Sequence, residues 1–180
     1  MPAGQIILLN GVSSSGKSTL ARILVEQLPG FFALAIDDFD LLIERMEDRP
    51  NQRLIPLETE RLFHLTIALF ASQGVNLAVD TVLHDPAVRD HCREILGDFV
   101  VLFVGVHCPA AELVRREQAR GDRESGLACR QLATMHIDEP YAVEVDTFQQ
   151  SSAACAEKII AALRAGDFPR PWRNTWEGIR

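Results

Sequence analysis

Apolar positions fall into short continuous runs separated by segments of helical spacing, the alternation expected of a parallel α/β fold. Gln5–Leu9 is an unbroken run ending at Asn10-Gly11 and predicts a buried strand followed by a turn. From about Lys17 to Leu28, Leu20, Ile23, Leu24 and Leu28 share one helical stripe, which Pro29-Gly30 closes. Phe32–Ile36 predicts a second strand, whereas Asp37 to about Leu57, with Pro50 and Pro56, is the least regular stretch. A helix is expected from about Glu58 to Ser72 before Gly74, then a third strand over Val75–Val79. Asp85 suits an N-cap, Pro86 the first helical position and Gly97 the stop of the next helix. Phe99–Val106 is apolar throughout, as in a central strand covered on both faces. Pro109 opens an arginine-bearing helix, Tyr141–Val145 predicts the fifth strand, and Ser152 to about Leu163 the last helix. Five strands joined by helical crossovers predict one parallel sheet.

Composition narrows the class. The chain has 180 residues, 47% hydrophobic and 24% charged, which fits one soluble domain. Its longest apolar run is Phe99–Val106, far short of the ~18 residues of a membrane span. The N-terminus lacks the basic flank and long apolar stretch of a signal peptide, so a cytoplasmic location is expected. A net charge of −7 argues against a nucleic-acid or membrane partner. Cys92, Cys108, Cys129 and Cys155 are widely spaced, with no C-x-x-C pair, and read as small buried hydrophobes in a reducing compartment. The main domain is expected over 1–166. Residues 167–180, with two prolines, three arginines and both tryptophans, form a tail that could dock on the body, cover a sheet edge or join subunits of a homo-oligomer.

Gly11-Val12-Ser13-Ser14-Ser15-Gly16-Lys17-Ser18 matches G-x-x-x-x-G-K-[ST] between a predicted strand and a predicted helix. Glycines let successive N–H groups point at phosphate oxygens, and the helix N-terminus adds positive potential. Residues 11–19, through Thr19, are therefore the expected nucleotide site, with Lys17 reaching the outer phosphates and Ser18 ligating magnesium. Asp80 ends the third strand, where a P-loop protein places a magnesium-holding acid; a simple turn cap is the alternative. Asp37 and Asp38 follow the second strand. The carboxyl ends of parallel strands share one edge, so Asp37, Asp80 and the phosphate loop should converge. A carboxylate there could take the proton of an acceptor hydroxyl, or simply cap a helix; strand alternation alone does not choose between Asp37 and Asp38.

Arg115, Arg116, Arg120 and Arg123 lie within nine residues, a local charge of +2 after Glu117 and Asp122. On a mobile segment over the site, about 115–128, such arginines could clamp a transferring phosphoryl group. The alternative is a solvated helix face with intrahelical ion pairs, favoured for Arg115 and Arg116 individually. His84, four residues after Asp80, is a candidate for the acceptor pocket, and the other histidines have no metal-ligand spacing.

Several stretches together resemble the chloramphenicol phosphotransferases, small P-loop kinases that phosphorylate an antibiotic hydroxyl with ATP. They are Ile6-Ile7-Leu8 with Asn10-Gly11 leading into the phosphate loop, Leu28-Pro29, a strand ending at Asp37, and Val104-Gly105-Val106-His107-Cys108. Ala119-Arg120-Gly121-Asp122-Arg123, and His136 followed by Tyr141 and Val143-Glu144-Val145-Asp146-Thr147, continue the likeness over about two thirds of the chain. The resemblance implies Asp37 as the base rather than Asp38, and places Arg120 and Arg123 in a small lid. It also implies the P-loop three-layer sandwich, with helices on both faces of a five-stranded parallel sheet in the order 2-3-1-4-5. Residues 38–73 depart from the family pattern, Thr81 stands where the family tends to have a second aspartate, and the tail has no counterpart.

The expectation is an ATP- and magnesium-dependent kinase acting on a hydroxyl of a small molecule, chloramphenicol or a similar neutral compound. The alternatives are a sugar-acid, nucleoside or other alcohol kinase, or a nucleotide-binding sensor without efficient transfer. Charge is unevenly placed: residues 37–60 hold eight acids against three arginines, which favours a neutral or cationic acceptor.

Overall fold

The computed structural model describes residues 2–120 and 126–175. Strand β1 (Gln5–Asn10) is buried on both faces because its two sets of alternating side chains enter different layers. Ile7 and Leu9 pack with helix α1 (Lys17–Gln27) and helix α7 (Ser152–Ala165), through Leu20, Leu24, Cys155 and Ile159. Ile6 and Leu8 pack with helix α3 (Thr59–Ser72) and helix α4 (Pro86–Leu96), through Phe63, Ile67, Cys92 and Leu96. A period-2 strand between two helical layers needs apolar residues at every position, which is why the run is continuous.

β1 pairs in parallel with β3 (Asn76–Thr81) and β4 (Val100–His107); β2 (Phe31–Ala35) lies outside β3, and β5 (Val143–Asp146) outside β4. The order is β2-β3-β1-β4-β5, the one expected. Register places Asp80 beside Leu9 on one side and Ala35 on the other. The acid of β3 thus sits level with the exit of β1 into the phosphate loop and the exit of β2 toward Asp37.

The stretch after β2 differs from its expected irregularity. Ile36–Met46 is helix α2, and the two prolines fall beyond its end. Ile36, Phe39 and Ile43 form its apolar stripe; Ile43 is buried, and the Phe39 ring meets Phe63 at 5.4 Å. Helical geometry therefore begins one residue before Asp37. Strand alternation no longer sets the direction of Asp37 or Asp38, and both carboxylates sit in the first turn, where the helix dipole favours them.

Helix α5 (Ala110–Arg120) follows β4, and a further helix, α6 (Leu127–Met135), precedes β5. A small third cluster of Val12, Cys108, Leu113, Ala128 and Met135 seats both helices against the phosphate loop. β5 starts at Val143, so Tyr141 lies in the connection before it. Cys92, Cys108 and Cys155 are buried and Cys129 half-buried, as small core residues should be. Trp172 is 2% exposed and packs edge-on against Phe103, while its backbone N–H bonds Phe99 O at 2.9 Å. That part of the tail is built into the α3–α4 layer; Trp176 lies outside the described residues.

Candidate active site

The carboxyl edge of the sheet opens into a cavity of about 390 Å³. Its lining includes Ser13, Ser14, Gly16, Lys17, Ser18 and Thr19 of the phosphate loop, Asp80 of β3 and Asp37 of α2. Arg115 and Arg116 of α5, and Thr147 after β5, also border it. Residues from five separate segments meet here because parallel strands all end on this side.

The phosphate loop is shaped by hydrogen bonds to its carbonyls. Lys17 Nζ donates to Val12 O at 2.9 Å, and Arg116 Nη1 donates to Ser14 O at 3.3 Å. Thr147 Oγ1 donates to Ser15 O at 2.7 Å. Ser14 holds a left-handed φ of 61°, disfavoured for a non-glycine residue by about 1–2 kcal/mol, so these outside contacts have strain to offset. Gly11 has no room for a side chain: a Cβ there would lie 2.5 Å from Val106 O. Gly16 takes a φ of 98° and leads directly into α1. The hydroxyls of Ser14 and Ser15 are buried with no hydrogen-bond partner. Ser14 lines the cavity, and an orphaned donor there suits the oxygen of a phosphate chain.

Ser18 Oγ donates to Asp80 Oδ2 at 2.6 Å, and Lys17 Nζ stands 3.5 Å from Asp80 Oδ1. Asp80 and Lys17 are both buried, so each charge is offset by the other. A hydroxyl and a carboxylate side by side are hard oxygen donors of the kind that suit magnesium with several waters retained. Asp37 lines the same cavity from the far side, and Asp38 is exposed and outside the lining.

The arginines divide. Arg115 is 69% exposed and pairs with Glu112 at 2.7 Å, the ion-paired helix face considered from the sequence, although it also borders the cavity. Arg116 is 24% exposed and ties three segments together. Its Nε donates to Glu112 Oε1 at 2.8 Å, its Nη1 to Thr147 Oγ1 at 3.0 Å, and its Nη2 to Thr147 O at 3.1 Å. Hydrogen bonds from Arg115 and Arg116 hold the Glu112 carboxyl down to about 2. Arg123 and the Arg120 side chain lie outside the described residues. His84 is exposed and not part of the lining; only its backbone O is engaged, by Thr134 Oγ1 at 2.9 Å.

A second layer braces this edge. Asn10, the last residue of β1, accepts from Leu83 N and donates to the Tyr141 hydroxyl, both at 2.9 Å. The Tyr141 proton is then directed to His136 Nδ1 at 2.9 Å, which leaves the ring proton of His136 on Nε2. Burial, with His107 and Lys17 nearby, pushes His136 down to about 4, so it stays neutral. Gln131 Oε1 of α6 accepts from Ser13 N at 2.8 Å. Reading the residues one by one weighed Arg116 only as a clamp on the transferring group, with a solvated helix face favoured for it, and did not single out Thr147, Asn10 or Gln131 for the site. Thr147 follows β5 as Asp37 follows β2, so the strand-end rule applies to it equally. Arg116 stands one helical turn after Glu112, but nothing in the sequence says that this turn lies against the phosphate loop.

The family model described as chloramphenicol phosphotransferase-like protein matches residues 4–164. The chain belongs to the chloramphenicol phosphotransferase-like family. This family member is an ATP-dependent P-loop small-molecule kinase. A relative from Mycobacterium tuberculosis, provisionally named an O-phosphotransferase, is 26% identical over 194 residues, covering 94% of this chain and 86% of the relative. Among solved structures, the M. tuberculosis APS kinase in complex with AMPPNP and APS superposes with a TM-score of 0.70 at 17% identity, covering 91% of this chain and 99% of that one. A gluconokinase from Sinorhizobium meliloti gives 0.63 at 24% identity, covering 91% and 93%. At such identities these two show the kinase fold and leave the acceptor open. No helix among the described residues of this family member is long and apolar enough to cross a membrane.

Proposed function

We propose that the protein transfers the γ-phosphoryl group of ATP to a hydroxyl of a small neutral or cationic molecule, with Asp37 as the base. One observation carries the reading: Asp37 faces the same cavity as Lys17, Ser18 and Asp80 while standing on a different element from all three. The backbone of residues 11–19 cradles the phosphates, and Lys17 neutralises the outer ones. Ser18 and Asp80 hold magnesium, which when bound withdraws charge from the phosphate oxygens. Asp37 orients the acceptor and takes its proton as the acceptor oxygen bonds to phosphorus and the bond from phosphorus to the departing ADP breaks. Arg120 and Arg123 offset the charge that shifts between these oxygens.

Chloramphenicol is one candidate acceptor. The acids on and after α2 favour neutral or cationic compounds over sugar acids. ADP release measured across hydroxyl compounds, chloramphenicol included, tests the reading, with acceptor-stimulated turnover as the expected result. Tight nucleotide binding with no stimulation by any compound would indicate a sensor instead. Asp37→Asn is expected to lower acceptor-dependent turnover by roughly 10²–10⁴-fold while ATP affinity stays near that of the wild type; a nearly active variant removes Asp37 from the role.

A further inference from the structure

Three carbonyls of the phosphate loop, those of Val12, Ser14 and Ser15, accept hydrogen bonds that fix its backbone. Lys17 secures Val12 O from within the loop. The other two carbonyls depend on residues far away in sequence: Ser14 O on Arg116, and Ser15 O on Thr147. These two are not independent. Thr147 Oγ1 accepts from Arg116 Nη1 and so has its own proton free for Ser15 O. Arg116 Nη2 meanwhile fixes the Thr147 backbone, and Glu112 Oε1 fixes Arg116 Nε. The side chain is thus held in one orientation by a carboxylate on its own helix, with two faces of its fork directed at two loops. A lysine could supply the charge but not this fork.

We propose that Arg116 is a positioning residue for phosphoryl transfer. Anchored by Glu112, it holds the Ser14 carbonyl directly and the Ser15 carbonyl through Thr147, and so fixes the backbone of the loop whose Ser13, Ser14 and Gly16 line the cavity proposed for the nucleotide phosphates. The inference deepens the kinase reading and rests on it for the identity of the ligand. It assigns α5 a task before transfer: Arg116 sets the phosphate loop. The effect of removing Arg116 should therefore appear in nucleotide binding, not in the handling of the acceptor.

Calorimetric titration of the full chain with ATP and magnesium, without acceptor, is the direct test. Arg116→Ala should weaken ATP binding by about tenfold or more while the melting temperature changes little. Arg116→Lys should remain as weak as the alanine variant, because charge without the fork does not hold both loops. Thr147→Val should weaken binding in the same direction, and the Arg116→Ala/Thr147→Val double variant should be no weaker than the worse single one, since both act through one network. In turnover with any accepted hydroxyl compound, KM for ATP should rise more than kcat falls, and KM for the acceptor should stay constant. Wild-type affinity in a folded Arg116→Ala, full rescue by lysine, or additive effects of the two substitutions would each overturn the proposal. Failure of the kinase reading looks different: ATP binding responds to Arg116 as stated, but no acceptor stimulates turnover.

Discussion

Ser14 is the residue at which the local and the global demands on this chain meet. A serine is a poor choice for a left-handed backbone, yet it lines the cavity and its hydroxyl is buried without a hydrogen-bond partner. Lys17 matters for a similar reason, since it caps Val12 O and balances Asp80, both side chains being only 6% exposed. Lys17→Ala leaves a buried carboxylate without its cation and the outer phosphates without theirs. Transfer is expected to fall by roughly 10²–10³-fold; steady-state kinetics with ATP check this, and normal rates would detach the motif from the chemistry. The motif itself was legible in the sequence because its spacing is local. The choice between Asp37 and Asp38 was not, because the residues alone do not say that the backbone turns helical at Ile36, which decides which carboxylate reaches the cavity.

Elements after β4 depend on contacts that cross gaps in sequence. Glu117 on α5 is buried, and its carboxylate accepts from Gly126 N at 3.0 Å and Ala128 N at 2.8 Å, the start of α6. It does for α6 what an N-cap does for an ordinary helix, from a neighbouring helix. Glu117→Ala strands those N–H groups and should cost about 1–3 kcal/mol, seen as a lower denaturant midpoint and faster amide exchange across α6; unchanged exchange there would contradict the assigned role. Trp172 performs the equivalent service for the opposite layer. Trp172→Ala opens a large hole against Phe103 and should destabilise the fold by about 3–5 kcal/mol, while ATP affinity measured below the melting transition stays the same. α4 needs no such help: Asp85 accepts from Ala87 N and Val88 N, and Pro86 opens the helix, so its start was readable from sequence. α2 and α6 were not readable in this way, because one has a short apolar stripe before two prolines and the other is capped from a distance.

At the scale of the whole molecule, two histidines are kept neutral by the fold. Burial, with His91 and Arg61 beside it, pushes His64 from 6.5 down to about 4, and His136 is lowered to a similar value. The unfolded chain therefore binds more protons than the folded one between about pH 6.5 and 4, and stability is lost as pH falls through that window. Urea midpoints measured from pH 7 to pH 4 should decline, and His64→Phe should flatten the decline; an equally steep curve in that variant would exclude His64 as a source. Charge is divided at this scale too, with eight acids against three arginines over residues 37–60, and Lys17, Arg115 and Arg116 bordering the cavity. The strand sequence, the phosphate loop and the side of the sheet on which chemistry occurs follow from local pattern, since strand burial, glycine placement and parallel crossovers are each written within a few adjacent residues. The sequence pattern thus determined the donor half of this enzyme. Tertiary structure decided which carboxylate lines the cavity and which arginine holds the phosphate loop, because a helix start and a guanidinium fork act through space, the latter between residues 102 apart in sequence.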